Sequence, residues 1–88
     1  MQKIKQIIDE IRQLKAEPTH RSALRIYSLM ENNKKLFVEV IDISDFNYLL
    51  SGFENISYKS PSEITTARGV EEYNKLCENL LFHCNRVV

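Results

Sequence analysis

The sequence predicts a small α+β fold of order α-β-β-α-(β)-α, in which an antiparallel β-hairpin is packed by N-terminal and C-terminal amphipathic helices. Three observations lead to this prediction. Apolar residues recur at three-four spacing near both ends of the chain, as on one face of a helix. Two central runs are rich in β-branched and aromatic residues, as in strands. With 88 residues, 43% of them hydrophobic, the chain has room for a single domain, residues 1–88.

The first predicted element is a helix over residues 2–17. Pro18 ends it, because the residue before a proline avoids the helical region of backbone space. Its apolar seam consists of Ile4, Ile7, Ile11 and Leu14. Such a stripe is typical of a helix that packs on a core.

Residues 23–30 and 36–43 are predicted to be the two strands of the hairpin. In both runs, apolar residues fall on each of the two faces that a strand would have. The five polar residues 31–35 between the runs suit a hairpin loop, with asparagine available for a left-handed position. Apolar residues on both faces indicate that the hairpin is covered by helices or by a second chain.

A short helix of about two turns is predicted to begin at Ser44-Asp45. Gly52 is its predicted left-handed terminator. In residues 54–59 Ile56 and Tyr58 alternate with polar neighbours, which weakly indicates a third strand. The apolar positions of the short helix are Phe46, Leu49, Leu50 and Phe53.

Residues 60–88 are predicted to form the long helix around which the fold is organised. Ser60-Pro61-Ser62-Glu63 matches a capping box with proline at the first helical position. Gly69 marks a kink, a close contact, or a break into helices 61–67 and 70–86. The apolar seam of this helix consists of Val70, Tyr73, Cys77, Leu80, Cys84 and Val87.

No catalytic, cofactor or metal site is predicted. Cys77 and Cys84 are seven residues apart, about 10 Å along a helix, which is too far for one zinc ion or for an intrachain disulfide. His83 points away from Cys84 on a helix, and the adjacent Glu71 and Glu72 diverge. Core cysteines are therefore predicted, with a disulfide between two copies as the alternative.

The charge of the chain is zero overall but unevenly distributed. Residues 1–35 hold eight Lys and Arg against four acids, and residues 36–88 hold four against eight. The plain interpretation is that the two halves attract each other or are solvated. The alternative is a nucleic-acid-binding regulator that uses the basic side of the 23–43 hairpin, namely Arg21, Arg25, Lys34 and Lys35, with Tyr27 nearby.

The favoured function is a non-enzymatic regulatory or inhibitory protein that acts by protein–protein interaction and associates with itself. The aromatic residues Tyr48, Phe53, Tyr58 and Phe82 are more than a small core easily encloses. A homodimer would bury both seams, and its predicted interface consists of Ile4, Ile7, Ile11, Leu14, Tyr73, Cys77, Leu80 and Cys84. The alternative is a monomer in which the N-terminal helix lies along the C-terminal one.

A cytoplasmic location is predicted. Residues 1–17 carry too many charges for a signal peptide or a membrane span, and no stretch of 18 apolar residues occurs elsewhere. The two cysteines would then be reduced thiols. The abundance of isoleucine, lysine and asparagine gives an impression of an AT-rich bacterial or phage genome.

Overall fold

The computed structural model describes residues 2–59 and 66–85, and these residues form helices and no strand. The helices are α1 (Gln2–Lys15), α2 (His20–Asn32), α3 (Lys34–Phe37), α4 (Ile43–Ser57) and α5 (Ala67–Asn85). The predicted α+β class is therefore wrong, because the described part of the chain is all-helical.

Four of these helices form an up-and-down bundle. α1 packs on α2 and α5, and α4 also packs on α2 and α5, so each long helix has two neighbours. α4 and α5 are antiparallel. Gly52 lies against Leu76, while Lys59, seven residues later, shares a small groove with Gly69, seven residues before Leu76. The short α3 connects α2 to the stretch that precedes α4.

The core is filled by the apolar faces of the long helices and by aromatic contacts. The ring centroids of Phe37 and Phe46 are 5.9 Å apart. Those of Phe53 and Tyr73 are 6.3 Å apart, and the two rings meet edge to face. On the outside, α2 is tied to α4 by Tyr27, whose hydroxyl lies 3.1 Å from Glu31 Oε2 and 3.3 Å from Glu54 Oε2. The bundle thus combines a closed apolar interior with polar links between its helices.

The predicted strand 23–30 is helical. Thr19 caps α2, because its hydroxyl accepts a hydrogen bond of 3.1 Å from the backbone N–H of Ser22. Ala23, Ile26 and Met30 follow at helical spacing and are fully buried. A run of eight residues is short enough for its apolar positions to fit either a strand or a helix. Here the helix forms, because it buries the apolar residues on one face.

The predicted strand 36–43 is also wrong. Residues 34–37 form α3, and turns follow to residue 40. Phe37 and Ile41 are four residues apart, and both are buried. The β-branched residues Val38 and Val40 favour strands locally, but burying Phe37 and Ile41 on one side of a helical turn outweighs that preference.

The short helix predicted from Ser44 is in fact the 15-residue α4, which begins one residue earlier and ends at Ser57. Gly52 does not end it and has no positive φ angle. The strand predicted at 54–59 is wrong, because α4 continues through Ile56, which is buried on the helical face.

α5 begins later than predicted. The capping box predicted at residues 60–63 lies outside the described residues, as does Val87. The hydroxyl of Thr66 accepts a hydrogen bond of 3.1 Å from the backbone N–H of Gly69 and so caps α5. Gly69 therefore lies in the first turn of α5, and from Ala67 to Asn85 the helix runs without a break.

Candidate functional site

The residues predicted to form an interface between two chains lie within one chain. They are Ile4, Ile7, Ile11, Leu14, Tyr73, Cys77, Leu80 and Cys84, of which Leu14 is partly buried and the others are buried. α1 lies along α5, so the two seams cover each other, as in the monomer alternative. The homodimer stays a prediction, but a dimer of chains folded in this way would have to use exposed residues.

Tyr73 joins the first and last helices at a polar point in the core. Its hydroxyl donates a hydrogen bond of 2.6 Å to the backbone carbonyl of Leu14, in the last turn of α1. The side chain is fully buried, and burial raises the pKa of the phenol far above its usual value. The phenol therefore stays protonated and keeps its donor role across the physiological pH range.

Cys77 and Cys84 are buried free thiols, which confirms the prediction of core cysteines. Burial raises the pKa of Cys77 to about 12 and that of Cys84 to about 11. A nucleophilic cysteine needs an accessible thiolate. These two thiols have neither exposure nor charge at neutral pH, so their role is packing.

The basic residues predicted to contact nucleic acid do not share a hairpin. Arg21 and Arg25 lie in the first half of α2, whereas Lys34 and Lys35 lie in α3, beyond the other end of that helix. Arg25 is paired with Glu10, with its Nε atom 2.7 Å from Oε2. The predicted basic side of the hairpin is therefore not formed, and nucleic-acid binding stays a prediction that these four positions do not favour.

Three of the four aromatic residues singled out in the sequence are on the surface. Tyr48 is 70% exposed, Tyr58 77% and Phe82 63%, whereas Phe53 is in the core. Tyr48 stands at the rim of a groove between α4 and α5. An exposed aromatic ring beside a concave surface is a typical anchor in protein interfaces.

We call this concave surface the α4–α5 groove. Its volume is about 480 Å³, and it is an open trough rather than an enclosed cavity. Gly52, Ile56 and Leu76, which carry no polar side-chain group and are buried or half-buried, form the floor. The rims are Tyr48, Asn55 and Lys59 on the α4 side and Glu72, Lys75 and Asn79 on the α5 side.

Gly52 makes this floor possible. A Cβ atom at position 52 would lie 2.7 Å from Cδ2 of Leu76, well inside normal contact distance. The absence of a side chain lets Leu76 lie directly on the backbone of α4. The groove is therefore shallow and apolar at its centre, with polar side chains on either side.

The charges at the groove are only partly compensated. Nζ of Lys75 is 3.0 Å from Oε1 of Glu71, and Nε of Arg68 is 3.8 Å from Oε1 of Glu72. Lys59 is half-buried and has no carboxylate within salt-bridge distance among the described residues. In the part of the chain that the structure describes, Lys59 is therefore a positive charge without an ion-pair partner at one end of the groove.

The groove was not predicted from the sequence, although a signal for it is present. Tyr48, Gly52 and Asn55 are spaced by four and three residues, so they share one side of a helix, and Lys59 follows four residues later, just beyond the end of α4. The prediction that the helix ends at Gly52 separates Tyr48 from Asn55, so it does not place them on one side of the same helix. The second wall, on α5, follows the same rule with Glu72, Lys75, Leu76 and Asn79.

Residues 2–59 and 66–85 contain no cluster of His, Cys, Asp and Glu suited to a metal ion, and no helix long and apolar enough to cross a membrane. Neither a protein-family model, nor a curated protein, nor a solved structure matches this chain. Its function is therefore inferred from its own geometry.

Proposed function

We propose that this chain is a non-enzymatic protein that regulates or inhibits a protein partner by binding it at the α4–α5 groove. The observation that carries the proposal is Tyr48, which is largely exposed at the rim of a groove with an apolar floor. Tyrosine is enriched among the residues that contribute most to binding energy, because it offers a large apolar area together with a polar tip.

The position of Tyr48 supports this groove over the other exposed apolar residues. Energetically important contacts cluster where a side chain can be enclosed by well-packed neighbours. Tyr48 has Leu76 in the groove beside it, so a partner could cover both residues together. Scattered exposed apolar residues, by contrast, are normal on protein surfaces and need no explanation.

The state of the two cysteines supports binding rather than thiol chemistry. Both are buried, and burial raises the pKa of both, as described above. A cytoplasmic location is part of the proposal, because unpaired thiols suit a reducing compartment. Self-association also belongs to the proposal, with exposed residues and not the two inner seams as its contact surface.

A comparative pull-down tests the proposal. The tagged full-length chain, Tyr48→Ala and Tyr58→Ala are each used to capture proteins from the lysate of cells that naturally make this chain, with quantitative mass spectrometry. Tyr58 is an exposed tyrosine that does not line the groove, so it is the matched control. Circular dichroism and thermal melting establish that all three proteins are folded.

We expect a partner that is captured by the unmodified chain and by Tyr58→Ala and is depleted about tenfold by Tyr48→Ala. Equal recovery of every captured protein by Tyr48→Ala would refute binding at the groove.

A further inference from the structure

The shape of the α4–α5 groove favours an elongated occupant. The α4 side runs from Tyr48 to the end of the helix at Ser57, about 14 Å at helical rise, and continues to Lys59 just beyond it. Small-molecule sites usually bury most of their ligand in a cleft or cavity, whereas this groove is open along its length. A segment of a polypeptide laid along the two helices fits it better.

The chemistry of the walls favours a helical segment over an extended one. An extended peptide gains affinity mainly by pairing its backbone with the edge of a sheet. Both walls of this groove are helices, whose backbone groups are already hydrogen-bonded internally. A strand laid on Leu76 and Ile56 would leave backbone groups without partners, at a cost in free energy. A helix satisfies its own backbone and can place an apolar face on this floor.

The charges determine the polar character of that helix. Lys75 is paired with Glu71 and Arg68 with Glu72, whereas Lys59 has no carboxylate within salt-bridge distance among residues 2–59 and 66–85. Lys59 is half-buried as a residue and lines the groove. A carboxylate placed near it would restore a charged hydrogen bond, whereas a cation there would be repelled.

We propose that the α4–α5 groove binds an acidic amphipathic helix of a protein partner, about three turns long. The apolar face of that helix covers Leu76 and packs against Tyr48, and a carboxylate of the helix lies at Lys59. The inference rests on the function proposed above and names the class of the partner.

A selection from random peptides tests it without knowledge of the natural partner. The probe is a display library of linear peptides of about 16 residues, long enough to form a marginal helix, selected on the full-length chain. Synthetic copies of the enriched peptides are then titrated by fluorescence anisotropy against the unmodified chain, Tyr48→Ala and Lys59→Glu. Tyr58→Ala and Lys34→Glu, at exposed positions outside the groove, are the matched controls.

The enriched peptides are expected to have apolar residues at three-four spacing and net negative charge, and to become helical on binding. Tyr48→Ala and Lys59→Glu should each weaken binding about tenfold or more, and each control by less than about twofold. Raising the salt concentration should weaken binding to the unmodified chain more than binding to Lys59→Glu.

Peptides that bind in the groove but are basic, neutral or non-helical would overturn this inference and leave the proposed function standing. Failure of the library to give any binder tighter than about 100 µM would overturn it as well. The pull-down with Tyr48→Ala decides the proposed function separately, because it uses the natural partner and not the library.

Discussion

Replacing Gly52 by alanine is expected to be less favourable in the native chain than in a chain whose Leu76 is shortened. The alanine Cβ would lie 2.7 Å from Cδ2 and 3.0 Å from Cδ1 of Leu76. Carbon atoms in good contact are about 3.5–4.0 Å apart. The leucine side chain would have to turn into the groove, so the substitution reports directly on how closely α4 and α5 approach each other.

Two opposing free energies set the size of the effect. Within a helix, alanine is favoured over glycine by about 1 kcal/mol. An additional methyl group forced into a packed contact costs about 1–3 kcal/mol. In the native chain, Gly52→Ala should therefore lower the free energy of unfolding by about 0–2 kcal/mol. In a Leu76→Ala background the clash is absent, and the same substitution should raise it by about 1 kcal/mol.

Urea denaturation of the native chain, both single variants and the double variant gives the interaction energy of the two positions. We expect about 1–3 kcal/mol between them. Each kcal/mol corresponds to a shift in Tm of about 4–8 °C for a domain of this size. Ser51→Ala, at an exposed neighbouring position of α4, is the control and should have the same effect in both backgrounds.

The result that would refute this reasoning is additivity. If Gly52→Ala changes stability equally in both backgrounds, within about 0.5 kcal/mol, Leu76 does not lie over position 52. The floor described for the groove would then be wrong.

Four further predictions concern the core. Native protein should react slowly with a thiol reagent at pH 7 and rapidly once unfolded, because burial raises the pKa of Cys77 to about 12 and of Cys84 to about 11. For the same reason, the free energy of unfolding should fall as pH rises above the usual thiol pKa of 9.0, since the unfolded chain releases protons that the folded chain keeps; the limit is about 1.4 kcal/mol per pH unit and thiol. Tyr73→Phe should lower the free energy of unfolding in urea by about 1 kcal/mol, through loss of the hydrogen bond to Leu14. Ile11→Glu should abolish the folded state, as seen by circular dichroism, because it places an unpaired charge in the core.

Each of these predictions has an outcome that would contradict it. Rapid native labelling of Cys77 would show that the inner face of α5 is open. If Tyr73→Phe has the same free energy of unfolding as the native chain, the hydrogen bond from Tyr73 to Leu14 does not stabilise the packing of α1 on α5. A folded Ile11→Glu protein of half the native mass in light scattering would place the α1 seam between two chains. For the unmodified chain, a mass near 10.3 kDa at all dilutions would refute the homodimer.

The two terminal helices could be predicted because each carries a long seam. Ile4, Ile7 and Ile11 repeat over several turns, as do Tyr73, Cys77 and Leu80, and a strand cannot maintain that period. A seam does not show what covers it, however. The structure covers each seam with the other inside one chain, and the sequence left this open beside the dimer.

The central segments were misinterpreted for physical reasons. In residues 23–30, the apolar residues that a strand would divide between two faces include Ala23, Ile26 and Met30, which also lie on one helical face. The polar connection before them contains Thr19, whose capping of α2 was a signal for the helix. In residues 36–43, local β preference is strong, and only packing around Phe37 overrides it.

The groove escaped prediction for a related reason. The sequence predicts that Gly52 ends a helix because glycine tolerates a left-handed conformation. In the structure Gly52 matters because it has no side chain and leaves room for Leu76. That role can be predicted only if the helix packed against α4 is known. The sequence predicts that Tyr48, Phe53, Tyr58 and Phe82 together exceed what the core encloses, and all of them except Phe53 are exposed. The sequence does not show that Leu76 lies against Gly52 and shares the groove with Tyr48. Leu76 belongs to another helix and follows Gly52 by 24 residues.

The pairing of α1 with α5 has a consequence for synthesis on the ribosome. Leu14 and Tyr73, which share a hydrogen bond, are separated by 59 residues. At about 5–20 residues per second, roughly 3–12 s pass between the synthesis of these two residues. During that interval the isoleucine seam of α1 lacks the helix that covers it in the finished fold. The nascent chain therefore exposes an apolar surface for seconds, which is long enough for a chaperone, or a neighbouring nascent chain, to bind it first.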